Sequence, residues 1–163
     1  LLPRLVPEVE VRYVVFEGKQ DPEKGLVRKL RGWLAPDTRF VVLRDQDGAD
    51  CKRVKERLAA LVAQSGREAL VRLACRELES WVLGDLVAVA EEFAVPRART
   101  QATKAKFRNP DSLTTPVSEI RRFVPSYQKI DGARRMGARL DPTTNSSQSF
   151  RAFCAGLCRL AGG

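Results

Sequence analysis

The chain has no histidine, and that absence removes more chemistry than any other feature of its 163 residues. Without an imidazole there is no Ser-His-Asp or Cys-His nucleophile, no histidine-ligated zinc centre, and no hydrolase whose general base is a histidine. Cysteine is sparse. Cys51, Cys75, Cys154 and Cys158 lack the CxxC pairing of a zinc ribbon, so free thiols are expected. Cys154 and Cys158, four apart, share one helix face, which would allow a metal pair, though two small buried hydrophobes is the plainer reading. No apolar run approaches the roughly 20 residues of a membrane span. The opening residues lack the basic and long apolar regions of a signal peptide, so a cytoplasmic location is the expectation.

Acidic residues are also scarce, but only in the second part of the chain. Residues 1–96 carry 16 Lys/Arg against 16 Asp/Glu. Residues 97–163 carry 13 against four, which accounts for the whole formal charge of +9. A basic block of this kind is the footprint expected for a phosphate-rich partner, nucleic acid foremost, although a charged helical surface is the plainer reading. With 44% apolar and 30% charged residues, the composition is that of one globular domain with a real core.

What is present is an alternation of short apolar runs with amphipathic stretches. Val9, Val11, Tyr13 and Val15 alternate with mostly polar neighbours, the period of a strand, and Gly18 closes it. Leu26 and Leu30, with Trp33 or Leu34, recur at helical spacing after Pro22, and Pro36-Asp37 ends that helix. Arg39 to Leu43 reads as a second strand. Asp50 suits the N-cap of a helix with Val54, Leu58, Leu61 and Val62 on one face, which Gly66 ends. Ala69 to Cys75 reads as a third strand, and Glu77 to Phe93 as helix interrupted near Gly84-Asp85. Arg97 to Pro116 reads as a long basic loop or subdomain connector. Helical patterns return at Val117–Phe123, Ile130–Leu140 and Ser149–Leu160. Strands alternating with helices predict a parallel sheet covered by helices on both faces.

The most chemically loaded segment is Phe40-Val41-Val42-Leu43-Arg44-Asp45-Gln46-Asp47, an apolar strand that stops at two carboxylates. In an open α/β sheet, ligands bind outside the carboxyl ends of the strands, where Asp45 and Asp47 would lie. Neighbouring ends carry Glu17, Glu77 and Glu79. Several carboxylates at one sheet edge suit a hard cation such as Mg²⁺, which keeps waters and substrate phosphates as its other ligands. Each acid has a structural alternative. Aspartates after a strand serve in turns, although Asp50 is better placed than Asp45 to cap the next helix. Glu77 and Glu79 suit a helix N-terminus through the helix dipole alone. Trp81 reads as core.

Six segments carry a resemblance: Phe16-Glu17-Gly18-Lys19-Gln20-Asp21, Val41 through Lys52, Arg72 through Asp85, Phe107-Arg108-Asn109-Pro110-Asp111, Tyr127-Gln128-Lys129, and Asn145 through Phe150. Over nearly the whole chain they resemble the bacterial domain of unknown function 4276 family, which is placed among Toprim-like proteins. The resemblance implies an α/β fold with a Rossmann-like, Toprim-type parallel sheet flanked by helices over residues 1–95. Residues 96–163 would be a basic loop and helical extension of the same domain. It also implies Mg²⁺-dependent (or Mn²⁺-dependent) phosphodiester chemistry, beside an ATPase in phage defence or DNA metabolism. A Toprim site pairs an Asp-x-Asp with a glutamate after an earlier strand. Asp45 and Asp47 match the first element, and the family places the glutamate upstream of Leu1, so the first strand is expected to lie outside this chain.

The expected function is therefore a metal-dependent nuclease. Asp45, Asp47 and Glu77 would be metal ligands and Glu79 an auxiliary catalytic acid, with Lys19, Lys52, Arg76 and Lys129 contacting phosphate. Nucleic acid and an ATPase are the expected partners, no membrane is involved, and a homo-oligomer is compatible with the pattern. The alternatives are a non-catalytic module that binds nucleic acid or an ATPase, and a haloacid-dehalogenase-like phosphatase with Asp45 as nucleophile. That superfamily usually places Thr or Val two residues after the pair and the pair on the first strand. Here Ala49 follows Gly48, and a strand is expected earlier.

Overall fold

The computed structural model describes residues 1–16 and 21–162. A short helix α1 (Leu2–Leu5) is followed by α2 (Asp21–Arg31), which buries Leu26 and Leu30. Strand β1 (Phe40–Asp45) comes next, then α3 (Cys51–Gln64) and strand β2 (Ala69–Ala74). Asp50 caps α3, its side chain accepting from Arg53 N at 2.8 Å, and Gly66 beyond the helix end takes a positive φ of 70°. β1 and β2 pair in parallel with Asp45 opposite Ala74, so α3 is the crossover of a β-α-β unit. The chain is thus mixed α/β, with a two-stranded parallel sheet among the described residues.

The remaining helices are α4 (Glu79–Leu83), α5 (Leu86–Glu92), α6 (Pro96–Gln101), α7 (Pro116–Phe123), α8 (Lys129–Gly137) and α9 (Gln148–Gly162). The break between α4 and α5 falls where Gly84-Asp85 predicts it, and Asp85 caps α5 by accepting from Ala88 N. The strands divide the apolar material into two cores. Leu26, Leu30, Leu58, Val62 and Val71 form a small one between the sheet and α2 and α3. A larger one gathers Trp81, Val82, Val89, Ile120, Met136 and Phe150. The Trp81 ring packs at 5.4 Å from Phe150 and 5.1 Å from Phe153, which joins α4 to α9. α9 in turn lies on β2, where Arg72 Nε donates to the Ala152 carbonyl.

Two expectations fail. The alternating segment Val9–Val15 forms no strand, and Tyr13 and Val15 are 72% and 85% exposed. Alternation makes a segment compatible with a pleated sheet, but only a partner's hydrogen bonds hold it there, and β1 pairs with β2 alone among the described residues. The basic stretch Arg97 to Pro116 is not all loop. It contains α6, whose first residue is Pro96, and two single-turn 3₁₀ segments at Ala105–Phe107 and Pro110–Ser112. Buried Ala98 and Phe107 anchor it to the larger core, so tertiary packing overrides its polar composition. Glu17, Gly18 and Lys19 lie outside the described residues.

Candidate active site at the sheet end

The β1 strand delivers Asp45 to its carboxyl end, and the turn that follows is locked to the end of β2. Gln46 N donates to the Ala74 carbonyl at 2.9 Å, and Asp47 N to the Arg76 carbonyl at 2.8 Å. Arg76 N returns a bond to Gln46 Oε1 at 3.0 Å. Asp47 and Arg76 both adopt left-handed backbone, with φ of 56° and 63°, and Gly48 follows at 81°. Positive φ at two non-glycine residues facing each other across strand ends is costly, and such strain concentrates at functional sites. Arg76 Nη1 lies over Gly48, 3.1 Å from where a Cβ would stand.

Three carboxylates converge beside this turn. Asp45 Oδ1 accepts from Leu78 N at 3.0 Å, which draws the Glu77-Leu78-Glu79 segment against the end of β1. Glu79, the first residue of α4, is 1% exposed. Glu77 Oε2 and Glu79 Oε2 are buried and accept no hydrogen bond. Each faces the ammonium of Lys129, the first residue of α8, at 3.7 and 3.5 Å. Tyr127 is buried nearby, its hydroxyl without a hydrogen-bond partner.

The electrostatics follow from this crowding. Burial pushes the Asp45 carboxyl above its ordinary value; Lys129 pulls against that, while Asp47 and Glu77 add to it. Glu79 is raised in the same way, by burial first, with Lys129 opposing and Glu77 and Asp45 reinforcing. Burial works against the charge on Lys129, yet Glu79, Glu77 and Asp45 together outweigh it and hold the ammonium above its usual range. Burial, and then Glu79 and Asp131, raise the Tyr127 phenol, so it stays protonated. The Cys75 thiol is pushed up to about 11, chiefly by burial, and is no nucleophile at neutral pH.

Of the residues singled out from sequence, Asp45, Glu77, Glu79 and Lys129 are brought into one cluster. Asp47 and Arg76 frame it through the turn. Lys52 stands exposed on the first turn of α3. The sequence profile of a family described as a domain of unknown function (DUF4276) matches residues 3–158. The chain belongs to this family. Comparison with curated proteins and with solved structures gives no match.

Sequence reasoning missed two features of this family member. Tyr127 was legible only as part of the Tyr127-Gln128-Lys129 segment. Its place behind Glu79 depends on Gly132, where a Cβ would stand 2.1 Å from the ring. The second is a polar clamp under α4. Asp111 accepts from Ser147 Oγ at 2.7 Å, Ser149 N at 2.7 Å and Ser149 Oγ at 3.1 Å, while Trp81 Nε1 donates to Ser149 Oγ at 2.8 Å. The quoted Asn109-Pro110-Asp111 and Asn145–Phe150 segments meet here, a contact that no local period signals.

Much of the basic excess is used internally. Glu92 holds Arg135 and Arg139, Glu119 holds Lys106 and Arg122, and Glu91 holds Arg99. Arg97 donates to the carbonyls of Arg122 and Phe123.

The donor chemistry of the cluster fits a hard divalent cation: carboxylate oxygens only, two of them buried without a hydrogen bond. Among the described residues, no three acidic or thiol groups stand ready to enclose an ion.

Proposed function

We propose that the chain is a Toprim-like, Mg²⁺- or Mn²⁺-dependent phosphodiester hydrolase acting on nucleic acid, working beside an ATPase partner. The observation that carries the reading is the convergence of Asp45, Glu77 and Glu79 at a parallel-sheet end, with buried Glu77 and Glu79 oxygens facing the Lys129 ammonium. Carboxylates crowded at one sheet end repel one another, and a cation offsets that repulsion.

Asp45 and Asp47 would hold the ion, with Glu77 beside them. A bound divalent ion supplies Lewis-acid polarisation of the phosphodiester and lowers the pKa of a water. The chain's own residues do the rest. Leu78 N fixes the Asp45 carboxylate, and burial keeps Glu79 available as a protonated acid over a wider pH range than an exposed glutamate. Arg76, over the turn, and Lys52, on the first turn of α3, provide cationic contacts for a phosphate backbone.

The test is nicking of plasmid DNA, and cleavage of RNA in parallel, with Mg²⁺ or Mn²⁺, comparing the intact protein with its Asp45→Ala variant. Metal-dependent cleavage lost in Asp45→Ala supports the reading. Equal cleavage by both proteins, or none by either, sinks it.

A second reading, a non-catalytic module that binds nucleic acid, draws on the ammonium of Lys129, which already neutralises the carboxylates. It predicts salt-sensitive binding with no metal-dependent cleavage. The phosphatase alternative loses one objection, because no strand forms ahead of β1 among the described residues, but Ala49 still departs from its motif.

A further inference from the structure

We infer that Lys129 is a resident counter-cation that competes with the divalent ion for the same carboxylates, so that metal binding and release of this ammonium are one coupled equilibrium. The inference rests on the metal-dependent reading above and adds how that site is regulated.

Three observations carry it. The ammonium lies 3.5 Å from Glu79 Oε2 and 3.7 Å from Glu77 Oε2, between two acids of the cluster. Those distances exceed the roughly 2.7–2.9 Å of a close charge-assisted hydrogen bond, so the ammonium is shared among the acids rather than bonded tightly to one. The Lys129 side chain is 50% exposed while that of Glu79 is 2% exposed. The cation can therefore swing to solvent, whereas the Glu79 side chain, held in α4 against the core, cannot.

A divalent ion entering such a cluster meets an ammonium within a few ångströms. The like-charge repulsion at that range is large in a partly buried setting. Either the lysine leaves or the ion binds weakly. The cluster is thus balanced without metal, and its affinity for metal is set by how readily Lys129 is displaced.

The experiment is a calorimetric titration of the full chain with Mn²⁺, comparing wild type, Lys129→Met and Lys129→Arg. Lys129→Met is expected to bind Mn²⁺ about tenfold or more tightly, and Lys129→Arg close to wild type. Equal affinity of wild type and Lys129→Met overturns the inference while leaving the metal site intact. Absence of Mn²⁺ binding in all three proteins removes the metal reading and this inference with it. Should Lys129→Met fail to fold, the decision passes to wild-type protein, by mass-spectrometric acetylation footprinting with and without Mn²⁺. Acetylation of Lys129 should rise several-fold relative to exposed Lys55 when Mn²⁺ is bound. An unchanged ratio overturns the proposal.

Discussion

Gly84 closes α4, the helix that presents Glu79, and there is no room there for a side chain. A Cβ at this position would stand 2.0 Å from Asn145 Oδ1, 2.8 Å from Asn145 Cγ and 3.0 Å from Ser147 N. Ordinary contact begins near 3.4 Å, so Gly84→Ala must drive Asn145 back by more than 1 Å. Asn145 has nowhere to go. It is fully buried, its Nδ2 donates to the Trp81 carbonyl at 2.8 Å, and its Oδ1 accepts from Ser147 N at 2.8 Å. Overpacking of a tight site costs about 1–3 kcal/mol. Stranding the buried partners of Asn145 adds about 1–3 kcal/mol. A total of about 2–6 kcal/mol is a large share of the roughly 5–15 kcal/mol that holds such a domain together. The melting temperature should fall by about 10 °C, at roughly 2–4 °C per kcal/mol. Thermal unfolding followed by circular dichroism reads the melting temperature, and urea unfolding reads the free-energy loss. The double variant Gly84→Ala/Asn145→Ala supplies the internal control. Truncating Asn145 removes two of the three close contacts, so the double variant should cost at least about 1 kcal/mol less than the sum of the single ones. A Gly84→Ala protein within 1 kcal/mol of wild type, or strictly additive effects, would refute the reasoning.

Two further outcomes follow from the same region. A carboxyl raised above its ordinary value of 4.5, as Glu79 is, favours folding below that pH and loses this contribution as pH climbs through the raised folded value. Glu79→Gln should therefore flatten the decline in stability above pH 4.5 and unfold at a higher urea midpoint than wild type near pH 7; parallel stability-pH curves would contradict this. Asp111→Ala strands Ser149 N at the start of α9 and frees both serine hydroxyls, so it should cost about 2–3 kcal/mol by urea unfolding. A loss below about 0.5 kcal/mol would mean that water replaces the carboxylate.

The site was partly legible because its key residues sit at strand and helix ends, where local rules are strong. An apolar run that stops at Asp45 places a carboxylate at the carboxyl end of a strand whatever the neighbours do. A carboxylate three residues before Arg53 caps α3 for the same local reason. Glu77 and Glu79 could be placed after β2 by counting, but their burial could not. It arises because Leu78 N is held by Asp45, 33 residues away, while Trp81 seats α4 on α9.

Val9–Val15 is the converse case. Its alternation is a correct reading of a local preference that no partner completes, since strands, unlike helices, take their hydrogen bonds from elsewhere in the chain. The single basic loop expected at residues 97–116 failed for a related reason. Ala98 and Phe107 find a core that their own neighbours do not supply.

By itself the amino-acid sequence determined the chemistry open to this protein. With no imidazole, histidine-based catalysis and histidine-ligated metals were excluded, and the apolar periods set most helices and both strands. Tertiary structure alone decided the charge balance of the site. Lys129 is 50 residues from Glu79 and reaches it because α8 packs against α4, and a Coulombic contact of that kind depends on distance in space, which no residue spacing encodes.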